Sequence, residues 1–173
     1  MEAVNGIVLH QTSSGTAEDT FNAYRGRPKN EGTGSHFLID RNGQIYQTAS
    51  LDQVAWHVGR LRSRETEVKT CSKKEYDQNG PVVNNPEAMH RKEMLKEYPS
   101  RFPSNKDSVG IEVVAKFDEK RNEFERPTED QLRSIHSLIE ALKEKFSLTG
   151  KDVYRHGGIS YKEVSEGCGL GYD

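Results

Sequence analysis

Ser35-His36-Phe37-Leu38-Ile39-Asp40-Arg41-Asn42-Gly43-Gln44-Ile45-Tyr46-Gln47 is the stretch that decides how this chain should fold. Two short apolar runs flank Asn42-Gly43. Asn-Gly in that setting marks a hairpin, because both central positions of a two-residue turn need positive φ. One antiparallel strand pair therefore sits early in the chain. Upstream, Val4-Asn5-Gly6-Ile7-Val8-Leu9 reads as a strand that ends on His10. A polar loop to Thr16 then supplies a helix cap, and Ala17 to Arg25 follows as a short helix with Phe21 and Tyr24 on one face. Gly26 to Gly34 reads as an exposed loop.

Downstream, Val54 to Gly59 is a short apolar patch holding the single tryptophan, Trp56. From Arg60 to about Asp107 the chain turns charged, Asn-rich and Pro-punctuated, with one short helix expected from Glu87 to Tyr98. This part reads as a long polar insertion on the surface. Ser108 to Phe117 is a nearly continuous apolar run, the mark of a central strand. Glu129 to Phe146 is the clearest helix, with Thr128 and Gln131 as a capping box. Leu132, Ile135, Leu138, Ile139, Leu142 and Phe146 form its expected buried stripe. Lys151 to His156 is a last strand, and a Gly-rich tail runs to Asp173. The alternation predicts an α/β fold, a single domain over residues 1–173 with a central mixed β-sheet flanked by α-helices.

Composition narrows the function classes. Of 173 residues, 32% are hydrophobic and 30% charged, and the net charge is −2. That balance gives no electrostatic reason to expect nucleic acid or an anionic membrane as partner. The N-terminus lacks a signal-peptide pattern, so the protein is expected to be cytoplasmic as made, to leave by a non-classical route, or to be a domain of a longer chain. An inhibitor, immunity protein or secretion factor stays open as a protein partner. The two cysteines, Cys71 and Cys168, either pair in an oxidising compartment or divide into a metal ligand and a bystander.

Several residues can carry chemistry. His10 and His156 each close a strand, where a sheet presents side chains to a cleft, and Cys168 follows in a Gly-rich loop. Two imidazoles and a thiolate with one open position make a catalytic zinc set. A lone histidine is more often structural, and the spacing here is no recognised zinc signature. Glu112 stands in the middle of an apolar strand, where a carboxylate is costly unless it is paired or has a site role. An ion pair with an arginine explains it equally well. Trp56 and His57 line a groove or fill the core, while His90 and His136 carry no such signal.

In order along the chain, these pieces resemble a family. His10-Gln11-Thr12 after a strand, the Ser35–Gln47 hairpin, Ala55-Trp56-His57-Val58-Gly59, and Asn105 with Ser108-Val109-Gly110-Ile111-Glu112 are similar to motifs of the type-2 N-acetylmuramoyl-L-alanine amidases. The resemblance leaves out most of residues 60 to 104. It implies one Zn2+ per chain on His10, His156 and Cys168, with Glu112 as the acid/base residue. It also implies that Ser35, His36, Trp56, His57 and Asn105 contact a peptidoglycan or muropeptide substrate. Other members place a tyrosine where Ser35 stands. Many carry Lys or Thr two residues before the last ligand, where this chain has Glu166, with Lys162 nearby at a different spacing. The activity implied is hydrolysis of the bond between N-acetylmuramic acid and L-alanine. A rival reading is a module that binds peptidoglycan without cutting it. Another is a cysteine hydrolase with Cys168 as nucleophile.

Overall fold

The computed structural model describes residues 1, 3–26 and 34–172. The loop expected from Gly26 to Gly34 therefore lies largely outside the described residues. Among the described residues six strands and five α-helices follow one another as β1 (Gly6–Ser13), α1 (Ala17–Arg25), β2 (Phe37–Ile39), β3 (Ile45–Gln47), α2 (Lys73–Asn79), α3 (Pro86–Glu93), β4 (Ser108–Asp118), β5 (Glu123–Phe124), α4 (Glu129–Phe146), β6 (Val153–Arg155) and α5 (His156–Ile159). The sheet runs β3-β2-β4-β1-β6, with β5 paired to β4 off that path. β4 is parallel to β1 and β2, β6 is parallel to β1, and β2–β3 and β4–β5 are antiparallel. This is the single mixed α/β domain read from the sequence. Among the described residues no helix is long and apolar enough to cross a membrane.

Alternation along β1 and β4 sets two faces. Ile7, Leu9, Val109, Ile111 and Val113 turn to one side and bury against Ile135, Ile139 and Leu142 of α4. Val8, His10, Gly110 and Glu112 occupy the other, where the site lies. α4 keeps its predicted bounds, and Thr128 and Gln131 form the capping box. Of its expected stripe Ile135, Ile139 and Leu142 are buried, and Leu138 and Phe146 are half-buried beside them. Leu132 is 38% exposed, while Gln131 is buried and donates from Nε2 to the Val114 carbonyl at 2.9 Å. The Gln131–Ile135–Ile139–Leu142 row faces the sheet, and Leu132 falls one helical step outside it.

The hairpin forms, but its turn is longer than expected. Gly43 N donates to Asp40 O, and Asp40 N donates to Gln44 O, both at 2.9 Å. Only Gly43 takes positive φ (80°), so a three-residue loop replaces the two-residue turn. Packing also demands the glycine: a Cβ there would lie 2.8 Å from the Asp130 carbonyl of α4.

The polar segment after Arg60 is anchored at both ends. Leu61, Phe102, Val8, Val58, Tyr154 and Ile159 make a second buried cluster. Arg62 is fully buried, donating to the Ser160 carbonyl and the Tyr76 hydroxyl while its guanidinium lies over the Tyr76 and Tyr161 rings. The segment thus covers the second face of the sheet and exposes mainly its middle. The expected helix from Glu87 to Tyr98 is shorter, ending at Glu93. A second one, α2, lies outside the helices expected from the sequence, and Ser72 caps it by accepting from Glu75 N.

Asp107 ties the end of this segment to β1. Its carboxylate accepts from Ser104 N, Ser104 Oγ and Asn5 Nδ2 and pairs with Arg101 at 3.0 Å. Burial pushes its pKa up, but the Ser104 and Asn5 hydrogen bonds and the Arg101 charge hold it below the ordinary 3.8. Asp107→Ala should cost about 3 kcal/mol at pH 7, since it strands Arg101 in a half-buried place. A depressed carboxylate pKa stabilises the fold above the unfolded value and stops doing so as pH falls through the folded one. Urea unfolding should therefore show a wild-type advantage that is constant above about pH 4 and shrinks below it.

Candidate active site

The site grows from the pairing of β1 with β4. His10 stands opposite Glu112 in the parallel register, so both side chains project from the same face. His156 arrives beside them because β6 ends at Arg155 and α5 starts immediately afterwards. After α5 the chain turns back: Gly157 N donates to Glu166 O, and Gly167 N donates to Gln11 Oε1 at 3.0 Å. That return aims the Glu166 carboxylate at the two histidines.

His10 Nδ1 and His156 Nδ1 are 2.9 Å apart. Glu166 Oε1 lies 2.7 Å from His156 Nδ1 and 3.1 Å from His10 Nδ1. These three residues form a grouping able to hold a metal ion. The tautomers sharpen this. His156 Nε2 faces the Val58 carbonyl at 2.8 Å, a pure acceptor, so Nε2 carries the hydrogen and the neutral ring turns its Nδ1 lone pair into the cluster. A carboxylate oxygen is also an acceptor only. Acceptors converging in a buried place require a proton or a cation between them.

The electrostatics agree. Burial and the nearness of His156 lower His10 to about 4, which keeps it neutral. For Glu166 burial acts upward, but His156 and His10 hold it well below the usual carboxylate range. Burial acts downward on His156, and Glu166 together with the Val58 carbonyl outweighs it and raises the pKa. Glu112 behaves in the opposite way to Glu166. Burial and the Glu166 charge push it up to about 8, and the Tyr24 hydroxyl donates to its Oε2 at 3.4 Å. Two carboxylates in one cleft whose pKa values are driven apart suit a ligand and a proton carrier.

These groups open onto a cavity of about 580 Å3 that also includes Trp56, Asn105, Tyr24 and Lys162 in its wall. Trp56 is 54% exposed there. Lys162 is the one lysine or arginine among the described lining residues. Ser35 and His36, expected at the substrate, are buried outside this wall. Ser35 Oγ donates to the Phe37 carbonyl, and His36 uses Nδ1 to accept from Gly110 N and Nε2 to donate to Gln53 O. His36, just before β2, thereby ties this strand to β4, while the Ser35 bond is local. Tyr24 was not singled out from the sequence; its helical spacing with Phe21 pointed only to a shared face.

Cys168 corrects the expected ligand set. Its sulfur is bonded to that of Cys71, 97 residues away, and a disulfide sulfur is neither a thiolate ligand nor a nucleophile. The cysteine-hydrolase reading falls with it. Glu166, two residues earlier, supplies the third atom of the grouping able to hold a metal ion. The disulfide staples the returning Glu166 loop to the segment before α2. Closing so long a loop is worth about 4 kcal/mol. The Cys71→Ser/Cys168→Ser protein should lose about that much in guanidinium unfolding.

The family model of N-acetylmuramoyl-L-alanine amidase matches residues 1–167. Among curated proteins none matches the sequence. Among solved structures, AmpDh3 from Pseudomonas aeruginosa in complex with anhydromuramic pentapeptide superposes with a TM-score of 0.57 at 18% identity, over 90% of this chain and 51% of that one. AmiD from E. coli in complex with an anhydro-N-acetylmuramic acid tripeptide substrate gives 0.57 at 16% identity, over 90% and 49%. At such identities the likeness is one of fold, and this chain spans about half the length of those proteins. The match of the family model over almost the whole sequence, on a fold of the same kind, shows that the chain belongs to the type-2 N-acetylmuramoyl-L-alanine amidase family.

Proposed function

We propose that this chain is a zinc-dependent amidase that hydrolyses the bond between the lactyl group of N-acetylmuramic acid and L-alanine in peptidoglycan or its fragments. The observation that carries the reading is the convergence of His10 Nδ1, His156 Nδ1 and Glu166 Oε1 beside the Glu112 carboxyl in one cavity. Two imidazoles and a carboxylate are a catalytic zinc donor set, and the unreconciled acceptors fit a cation. Family membership supports the bond and the substrate class, as do the anhydromuropeptides bound to AmpDh3 and AmiD.

When bound on His10, His156 and Glu166, zinc would supply Lewis acidity, making water more acidic and the amide carbonyl more electrophilic. The rest falls to side chains. Glu112 accepts a proton at its carboxylate from the attacking water and returns it to the departing L-alanine amine. A pKa near the operating pH suits a group that must do both. Tyr24 holds Glu112 Oε2 in place, and the Trp56 ring gives a sugar or peptide an apolar surface.

The test is mass spectrometry of products from purified peptidoglycan fragments, with and without a zinc chelator. Stem peptides with a free L-alanine amino terminus, lost on chelation and restored by zinc, are the expected products. Intact fragments after incubation with zinc-loaded protein would replace this reading with that of a binding module.

A further inference from the structure

The two histidines of the cluster lean on two consecutive residues, one each. His156 Nε2 donates to the Val58 carbonyl at 2.8 Å, and His10 Nε2 lies 3.0 Å from His57 Nδ1. The direction of the second contact follows from its far end. His57 Nε2 faces the Ser108 carbonyl at 3.4 Å and Ser108 Oγ at 3.3 Å. That hydroxyl spends its hydrogen on the Ser104 carbonyl at 2.6 Å, so both Ser108 oxygens can only accept from the ring. His57 therefore carries its hydrogen on Nε2, and its Nδ1 accepts from His10 Nε2. In each ligand histidine Nδ1 is left free to face the cluster.

The segment that provides these partners is itself clamped. Asn105 Oδ1 accepts from the backbone N–H of His57 at 2.9 Å and of Val58 at 2.7 Å. Two donors on one atom also identify that atom as the oxygen. Room for the His57 ring comes from β4: a Cβ at Gly110 would lie 2.8 Å from His57 Cγ and Nδ1.

We propose that Asn105, His57 and the Val58 carbonyl form one positioning device that fixes the tautomer and orientation of both histidine ligands. His57 and Asn105, expected to touch substrate, thus act on the metal site through His10 and His156. The inference rests on the zinc reading of the site. Ligand histidines whose other nitrogen is held bind metal more tightly, and loss of such a partner typically costs 10- to 100-fold in affinity.

Zinc affinity, measured by competition with a chromogenic chelator, separates positioning from mere structure. His57→Phe keeps the ring's bulk and removes the acceptor; Asn105→Ala releases the clamp. Each should weaken zinc binding about 10- to 100-fold. His57→Asn places an amide oxygen near the lost Nδ1, and Asn105→Asp keeps an acceptor for both N–H groups, so both should recover most of the affinity. Thermal unfolding of the zinc-free proteins checks that each variant folds. Affinities for His57→Phe and Asn105→Ala within twofold of wild type would overturn the proposal. So would conservative variants no better than disruptive ones. Wild-type protein that takes up no zinc would overturn the zinc reading and this inference together.

Discussion

Glu112→Gln should bind one zinc ion per chain and release stem peptide about 1,000-fold more slowly than the wild type, in the middle of the range for loss of a general acid–base. The substitution keeps the shape and the oxygen that accepts from Tyr24, and removes only the capacity to carry a proton. Stability offers a second readout. In the zinc-free protein Glu112 has a folded pKa of about 8 against the ordinary 4.5. The folded state then holds the proton more tightly than the unfolded one, so wild-type stability falls as pH rises from about 4.5 to about 8. Glu112→Gln lacks this group and should gain on the wild type across that interval in urea unfolding at stepped pH. Full activity of the variant would remove Glu112 from the proton path. Loss of activity with loss of zinc would make its role structural.

Much of this arrangement was legible because local signals agreed with global packing. The Thr128 capping box, the apolar run of β4 and the Asn42-Gly43 hairpin are signals carried by consecutive residues, and each formed close to where the sequence put it. What was missed depends on contacts distant in sequence. The type of turn at Gly43 answers to α4, which packs on it. The polar composition from 60 to 107 concealed Leu61, Arg62 and Phe102, whose burial follows from covering a sheet face that needs a layer. Ser72-Lys73-Lys74-Glu75 carries the cap signal for α2, masked by the charges around it.

The same reasoning explains Glu166, the third member of the cluster. His10 and His156 are visible as histidines at strand ends, but an acid in a Gly-rich tail reads as solvated charge. Only the folded return of residues 163–168 turns Glu166 inward and Cys168 outward to Cys71. The spare cysteine 97 positions upstream was the one hint that Cys168 had another partner.

Glu166→Ala and Cys168→Ser therefore make a decisive pair. Removing the carboxylate deletes one of three converging donors and the charge that holds His156 in place. Zinc affinity should fall by more than about 100-fold, beyond the cost of losing an outer partner, and amidase turnover should vanish with it. Cys168→Ser removes a staple and no donor. It should destabilise the fold yet bind zinc at one ion per chain, and it should retain turnover at temperatures where it stays folded. The reverse pattern, zinc lost with Cys168 and kept without Glu166, would mean that the sulfur binds metal once the disulfide is open. Running both variants under oxidising and reducing conditions separates these cases. The thiolate alternative requires zinc uptake by the wild type to rise on reduction, whereas ligation by Glu166 requires it to hold steady or to fall as the loop that carries the carboxylate loosens.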